Sequence, residues 1–371
     1  MSVCEKCLRH SHLIAHLAPR IAGLLDRPRR RPSALLELDE DSLIERVANG
    51  RRADTAREFL AQFDADRAIK RLVDTDVAAV CRHAVQYPEE LFRLSDPPRV
   101  LYCTGSAERL AELAAQPAAT VVGTRKPSPY GIEMSRELGR GLAAAGITVI
   151  SGLALGVDAL AHRGALAGRG RPIAVLACGA NLAYPARHLQ LYRQVREVGI
   201  VLSELPPGCR PFRWSFPARN RIMAALGAIT VVVEAADPSG SLITTTFALD
   251  MGKTVGAVPG QVTSRVAAGS NRLLREGAAT IRGTEDILDE MFGIGNGPHG
   301  PRTSAARAQP LSLEPRLRAV LDGVEVGEGV GEIAARTGMS APAVRCALGE
   351  LEVEGLIVSG GIGWYQRAAG D

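Results

Sequence analysis

The chain has 371 residues, of which 46% are hydrophobic and 23% charged, the balance of a globular chain long enough for two or three domains and a sizeable core. Its formal net charge of only +4 excludes a chain that is basic throughout, so any nucleic-acid site has to be a local patch. Seven scattered cysteines do not read as a disulfide framework, and no apolar run approaches a membrane span, so a cytoplasmic chain without a membrane partner is expected.

In chain order, Cys4 and Cys7 come first, followed by His10, His12 and His16. A CxxC with nearby histidines admits a zinc site, but no second CxxC or histidine pair follows at finger spacing, so the expectation is a helical leader with incidental cysteines and no metal, with the zinc site as the alternative. The run from Arg27 to Arg31 reads as a solvated basic linker. Residues 33–86 read as helices, because Phe59, Leu60, Phe63, Ile69, Leu72, Val73, Val77 and Val80 fall at helical spacing. Residues 1–86 are therefore expected to form a small α-helical domain carrying no chemistry.

Tyr87-Pro88 and Asp96-Pro97-Pro98 break the helical pattern. A first strand is expected at 100–103. Further apolar, β-branched runs follow at 119–122, 147–151, 173–177, 200–203, 229–234, 254–258 and 279–282. Helical stretches separate them: SPYGIEMSRELGRGLAAAG, GVDALAHRGALAG, ARHLQLYRQVREVG, FPARNRIMAALG, SLITTTFALDMG and SNRLLREG. This alternation predicts an α/β fold over 87–292, an extended Rossmann-like, doubly wound parallel sheet. In such sheets the ligand lies beyond the carboxyl ends of the strands.

The loops at those ends are rich in glycine, hydroxyls and arginine. They supply Gly123, Thr124, Arg125 and Lys126, then Ser128-Pro129 as the cap and first residue of a helix. Ser151 and Gly152 follow, then Gly179, then a Pro/Gly/Arg loop reaching Arg213. The densest stretch starts a helix with Phe216, Arg219, Asn220 and Arg221, and opens a second helix with Ser239, Gly240 and Ser241. Helix N-termini attract anions and arginine adds bidentate phosphate contacts, so this edge is expected to hold a phosphate-bearing ligand. Asp158 and His162, at i and i+4, admit two readings: an acid–base pair, or helix capping with a packed imidazole. The second is adopted, since GxSxG and HExxH are both absent, as are GxGxxG and the Walker sequence.

Residues 293–312 are rich in Gly, Pro, Ser and Ala and read as a flexible linker. Residues 313–371 then give helix, helix, turn, helix and two short strands, the winged-helix pattern. The third helix offers Arg345 against Glu350, Glu352 and Glu354, which favours protein contact or weak DNA contact over strong duplex binding.

The ordered motifs GTRKPSPYG, SGLALGVDALAH, AVLACGANLAYP, LSELPPG, FPARNRIMAALG, VVVEAADPSGSLITTTFA and VPGQVTSRVAAGSNRLLREGA resemble the DNA-processing protein A family, DprA/Smf, over about 87–292. The resemblance implies a domain that binds single-stranded DNA without marked sequence preference and loads RecA recombinase onto it. It also implies a homodimer through the Rossmann domain, and neither catalysis nor a cofactor. By position, Gly123, Thr124 and Arg125 match the family's phosphate-contacting loop. Arg213 matches a basic position, and Phe216, Arg219 and Asn220 match its FPxRN motif, with Phe216 as a stacking face. The alternative is a nucleotide phosphoribohydrolase-like enzyme of related Rossmann type. Such enzymes need PGGxGTxxE, and DPSGSLITTTFA here lacks the glutamate.

Overall fold

The short apolar runs form a nine-stranded sheet: β1 Val77–Cys81, β2 Val100–Thr104, β3 Ala118–Val122, β4 Thr148–Ser151, β5 Ile173–Leu176, β6 Ile200–Ser203, β7 Ile229–Val232, β8 Thr254–Ala257 and β9 Ala279–Thr280. The computed structural model describes residues 3–25, 33–297, 314–325, 328–353, 357–361 and 364–367. Strand order is β1-β2-β6-β5-β4-β3-β7-β8-β9. From β6 to β9 every neighbouring pair is parallel, while β1 and β2 extend the β6 edge as antiparallel strands. Strands β3 to β7 are buried at every position, as a sheet covered on both faces requires.

The helices before the sheet's main run are α1 Glu5–Leu25, α2 Ser33–Leu36, α3 Glu40–Val47, α4 Arg51–Ala61, α5 Ala65–Asp74 and α6 Ala107–Ala114. Those between and after the strands are α7 Pro129–Ala144, α8 Val157–Ala167, α9 Leu189–Val198, α10 Ser215–Leu226, α11 Ser241–Asp250, α12 Ala268–Arg275 and α13 Thr284–Phe292. Ser128 caps α7 through its hydroxyl, which accepts from Gly131 N at 3.1 Å, and Pro129 starts the helix. Helices α7 and α8 touch through glycines: a Cβ on Gly139 would overlap the carbonyl of Ala161, and one on Gly164 that of Arg136.

One expectation is corrected. Residues 77–81 were expected to be helical, but Val77–Cys81 pairs antiparallel with β2 along all five residues. VAAVC is compatible with a helix when read locally, and its long-range partner decides otherwise. Residues 1–301 form one compact unit and 302–371 the other. Leu13, Leu17 and Ile21 of α1 share a core with Leu205, Trp214 and Ala218, and the Trp214 indole donates to Ala18 O at 3.0 Å.

The second unit contains α14 Pro315–Glu325, α15 Val330–Thr337, α16 Ala341–Val353 and an antiparallel hairpin of β10 Ile357–Gly361 and β11 Trp364–Arg367. Val320, Leu321, Ile333, Val344 and Leu348 are in its core. Arg345 is exposed, and Glu350 accepts an ion pair from Arg316 at 2.9 Å. Glu354 and most of the expected linker, from residue 298 on, lie outside the described residues.

Candidate nucleic-acid interface

The sheet's winding reverses between β3 and β7. From β3 the chain proceeds through β4 and β5 to β6, and from β7 through β8 to β9 on the other side. The loops after β3 and β7 therefore diverge and leave a crevice, the usual ligand position in an open α/β sheet. Here it is a cavity of about 350 Å³, walled by the Gly123–Arg125 loop, the first turns of α10, and the loop leading into α11.

The β3 loop is held by its backbone. Thr124 N donates to Glu234 O at 2.6 Å, and Val157 N donates to Thr124 O at 3.2 Å. Gly123 has to be glycine, since a Cβ would lie 2.6 Å from Val157 Cγ2 and 2.8 Å from Glu234 O. The N-terminus of α7 is already occupied by an anion from within the protein. The buried Glu234 carboxylate accepts from Ser128 N at 2.9 Å and from Ser128 Oγ at 2.6 Å. The N-terminus of α11 is different. Its cap, Gly240, has no side chain; the amides of Leu242 and Ile243 donate within the turn, to Ser239 O at 3.2 Å and Gly240 O at 3.3 Å, and the Ser239 and Ser241 hydroxyls lie 2.8 Å apart, with no carboxylate in this helix's first turn. One turn on, the buried Thr244 hydroxyl lines the cavity and has no hydrogen-bond partner among the described residues. A buried, unpaired polar atom on a cavity wall is a donor or acceptor left for a ligand.

Phe216, half-buried, stands at the mouth. The Arg125 guanidinium lies 5.4 Å above its ring, and the Tyr184 ring is 5.9 Å away at 54°. Phe216, Arg125 and Arg219 also border a second lobe of about 70 Å³ that Tyr184 helps to line. The interface thus offers an exposed cation, two aromatic faces and an uncapped helix N-terminus.

Not every residue expected at the site serves it in the same way. Arg219 lines the cavity but is 6% exposed, and its guanidinium donates to Gly152 O at 2.7 Å and to Val175 O. Burial lowers its pKa, and the buried Asp158 nearby opposes that. It is a cation built into the floor of the cavity. Asn220 links the two helices, with Oδ1 accepting from Arg219 Nε at 3.2 Å and Nδ2 donating to Gly240 O at 3.2 Å. Gly152 gives Arg219 its space: a Cβ there would overlap the guanidinium.

Arg221 is outside the lining of both lobes. It is fully buried on another side of α10, with Nε 2.6 Å from Asp96 and Nη2 2.7 Å from Glu204. Ser151 and Gly179 are likewise outside the lining of both lobes. The buried Ser151 hydroxyl donates to Val121 O at 2.7 Å. Gly179 N donates to Cys209 O at 2.8 Å, tying two loops together. Arg213 and Lys126 are exposed, outside the lining of both lobes. Asp158 accepts from Gly152 N at 3.1 Å, and burial raises its carboxyl pKa against the pull of Arg219. His162 is fully buried and held neutral, its pKa lowered by burial to about 3. The packing reading of this pair fits that geometry. Sequence reasoning missed Tyr184 and Thr244; the Tyr184-Pro185 step after β5 was the available signal for the first.

The fold defines an α/β protein with a switch-point cleft lined by arginine, aromatic and hydroxyl side chains. The chain belongs to the family of DNA recombination-mediator protein A, whose model matches residues 78–292. It is 40% identical over 260 residues to a DprA relative from Mycobacterium tuberculosis (strain H37Rv), across 70% of this chain and 66% of that one, just under two thirds of the relative's length. Among solved structures it is similar to DNA processing protein A from Streptococcus pneumoniae, with a TM-score of 0.61 and 28% identity, covering 78% of this chain and 99% of that one. It is also similar to DNA processing protein A from Helicobacter pylori, whose structure concerns its single-stranded DNA binding mode. There the TM-score is 0.51 and the identity 30%, covering 57% of this chain and 93% of that one. No helix among the described residues is long and apolar enough to cross a membrane.

Proposed function

We propose that this chain binds single-stranded DNA at the switch-point cleft, largely without sequence preference. The observation that carries the reading is the Arg125–Phe216–Tyr184 cluster at the mouth of a cavity whose far wall is the uncapped N-terminus of α11. A single strand presents unstacked bases and phosphates together, and this cluster meets both: aromatic faces for bases, and a cation and the positive end of the α11 dipole for phosphate. Stacking accepts any base, which suits binding without sequence preference. The H. pylori relative's single-stranded DNA binding supports the same ligand class.

Arg125 and the Ser239–Ser241 turn contact phosphate in this reading, Thr244 donates to or accepts from the strand, and Phe216 and Tyr184 stack. Arg213 and Lys126 extend the basic path outside the cavity. The remaining roles rest on the family resemblance: protecting the strand, loading RecA recombinase onto it and pairing as a homodimer; action without catalysis or a cofactor, in the cytoplasm, completes the reading. The carboxyl-terminal unit is read as a winged helix that contacts protein or binds DNA weakly.

Fragments test where binding resides. Residues 1–301, the compact unit containing β1 and α1, should keep most of the single-strand affinity, and residues 302–371 should not. Affinity residing in 302–371 alone would overturn the assignment of the site.

A further inference from the structure

The CxxC at the start of the chain meets a second ligand pair that the sequence places 74 residues later. Cys4 precedes α1 and Cys7 lies on its first turn, while Cys81 ends β1 and His83 sits in the turn that follows. The three sulfurs and a ring nitrogen of His83 lie within 4.8 Å of one another. All three thiols converge on the same atom: Nδ1 of His83 is 3.6 Å from Cys4 Sγ, 3.5 Å from Cys7 Sγ and 3.8 Å from Cys81 Sγ.

A tetrahedral zinc with Zn–S of about 2.3 Å and Zn–N of about 2.0–2.1 Å has S···N edges of about 3.6 Å. The three observed S···N separations match that edge before any ion is placed. Hydrogen bonding between thiols and imidazole gives no reason for three sulfurs to share one nitrogen, whereas a common metal does. Three thiolates and one imidazole in a closed set are the ligands of a structural zinc site. Cys7 and Cys81 are buried and His83 is exposed, so the imidazole would close the site on its solvent side.

We propose that Cys4, Cys7, Cys81 and Nδ1 of His83 bind one zinc ion that fastens the start of α1 to the sheet's edge strand β1. The consequence is mechanical. Helix α1 leads from the site to Ala18, whose carbonyl holds the Trp214 indole, and Trp214 immediately precedes α10, which carries Phe216 and Arg219. The metal fixes one end of that connection and touches no residue of the cleft.

The test uses the full chain, fully reduced, freed of metal by a chelator, then titrated with Co²⁺ and separately with Zn²⁺. The expected result is one ion retained per chain after desalting, with thiolate charge-transfer and tetrahedral d–d bands for Co²⁺. His83→Ala, which changes an exposed side chain, should remain folded by circular dichroism. It should bind Co²⁺ more weakly than wild type by more than the roughly 10–100-fold that losing an outer-shell partner costs. Cys81→Ser should behave likewise, and Cys346→Ser, an exposed cysteine in the other compact unit, should bind as wild type does. The proposal is overturned if the folded, reduced wild-type chain retains no metal, if bound Co²⁺ is octahedral, or if His83→Ala binds as tightly as wild type.

Discussion

Arg219→Ala should destabilise the protein without changing the salt dependence of its DNA binding, and Arg125→Ala should do the reverse. Both side chains border the same cavity, but their partners differ. The Arg219 guanidinium is buried against two backbone carbonyls, Gly152 O and Val175 O, and its charge offsets that of the buried Asp158. A hydrogen bond to a charged group contributes about 1.5–3 kcal/mol, and the Arg219 guanidinium makes two of them to backbone carbonyls. These two contributions overlap, so the expected loss is about 3–5 kcal/mol, a large part of a typical domain's stability. Arg125 is exposed and its guanidinium lies over the Phe216 ring, so its removal should leave the urea midpoint almost unchanged. On a single strand each lost phosphate contact lowers the slope of log K against log salt by about 0.7. Urea titrations and anisotropy with a labelled oligonucleotide at several salt concentrations measure both quantities. An Arg219→Ala variant with the wild-type midpoint and a reduced slope, beside an Arg125→Ala variant with an unchanged slope, would refute the division of roles.

Phe216→Ala and Tyr184→Ala should each weaken single-strand binding by about 1–3 kcal/mol with little change in slope, provided that a melting curve shows them folded. Arg221→Ala leaves Asp96 and Glu204 buried without their cation, so it should cost about 3–5 kcal/mol of stability while the slope stays at the wild-type value in whatever protein remains folded. Burial holds His10, His12 and His162 below the ordinary 6.5, at about 4, 4 and 3. The unfolded chain takes up protons below about pH 6.5 that the folded chain refuses, so the stability present above that pH is lost as the pH falls toward 4. The loss is on the order of 4 kcal/mol per pH unit if all three contribute, and calorimetry that showed a flat melting temperature across this window would contradict it.

The sheet was legible because its strands are short β-branched runs bounded by glycine, and every strand expected from residue 100 onward is present to within two residues at each end. Strand β1 was not, because VAAVC carries no local signal that overrides its helical surroundings. The position of the cleft was also legible, since a sheet wound both ways leaves a crevice at its carboxyl edge. The roles of the arginines were only partly so. Arg219 and Arg221 are two residues apart on α10, and a helix turns about 200° over that interval, so one site could not receive both. Which of them met a carbonyl and which a carboxylate depended on Gly152, Val175, Asp96 and Glu204, all distant in sequence. The ligand set around Cys4 was hidden for the same reason, because the edge strand alone brings Cys81 and His83 to it.

The central claim, a cleft that holds single-stranded DNA by stacking and phosphate contact, is tested most directly by titrating the full chain with matched single- and double-stranded oligonucleotides of mixed sequence across a range of salt. The account predicts tighter binding to the single strand, a steep decline with salt, and little dependence on sequence. Equal affinity for the two forms, or no binding even at low salt, would contradict it.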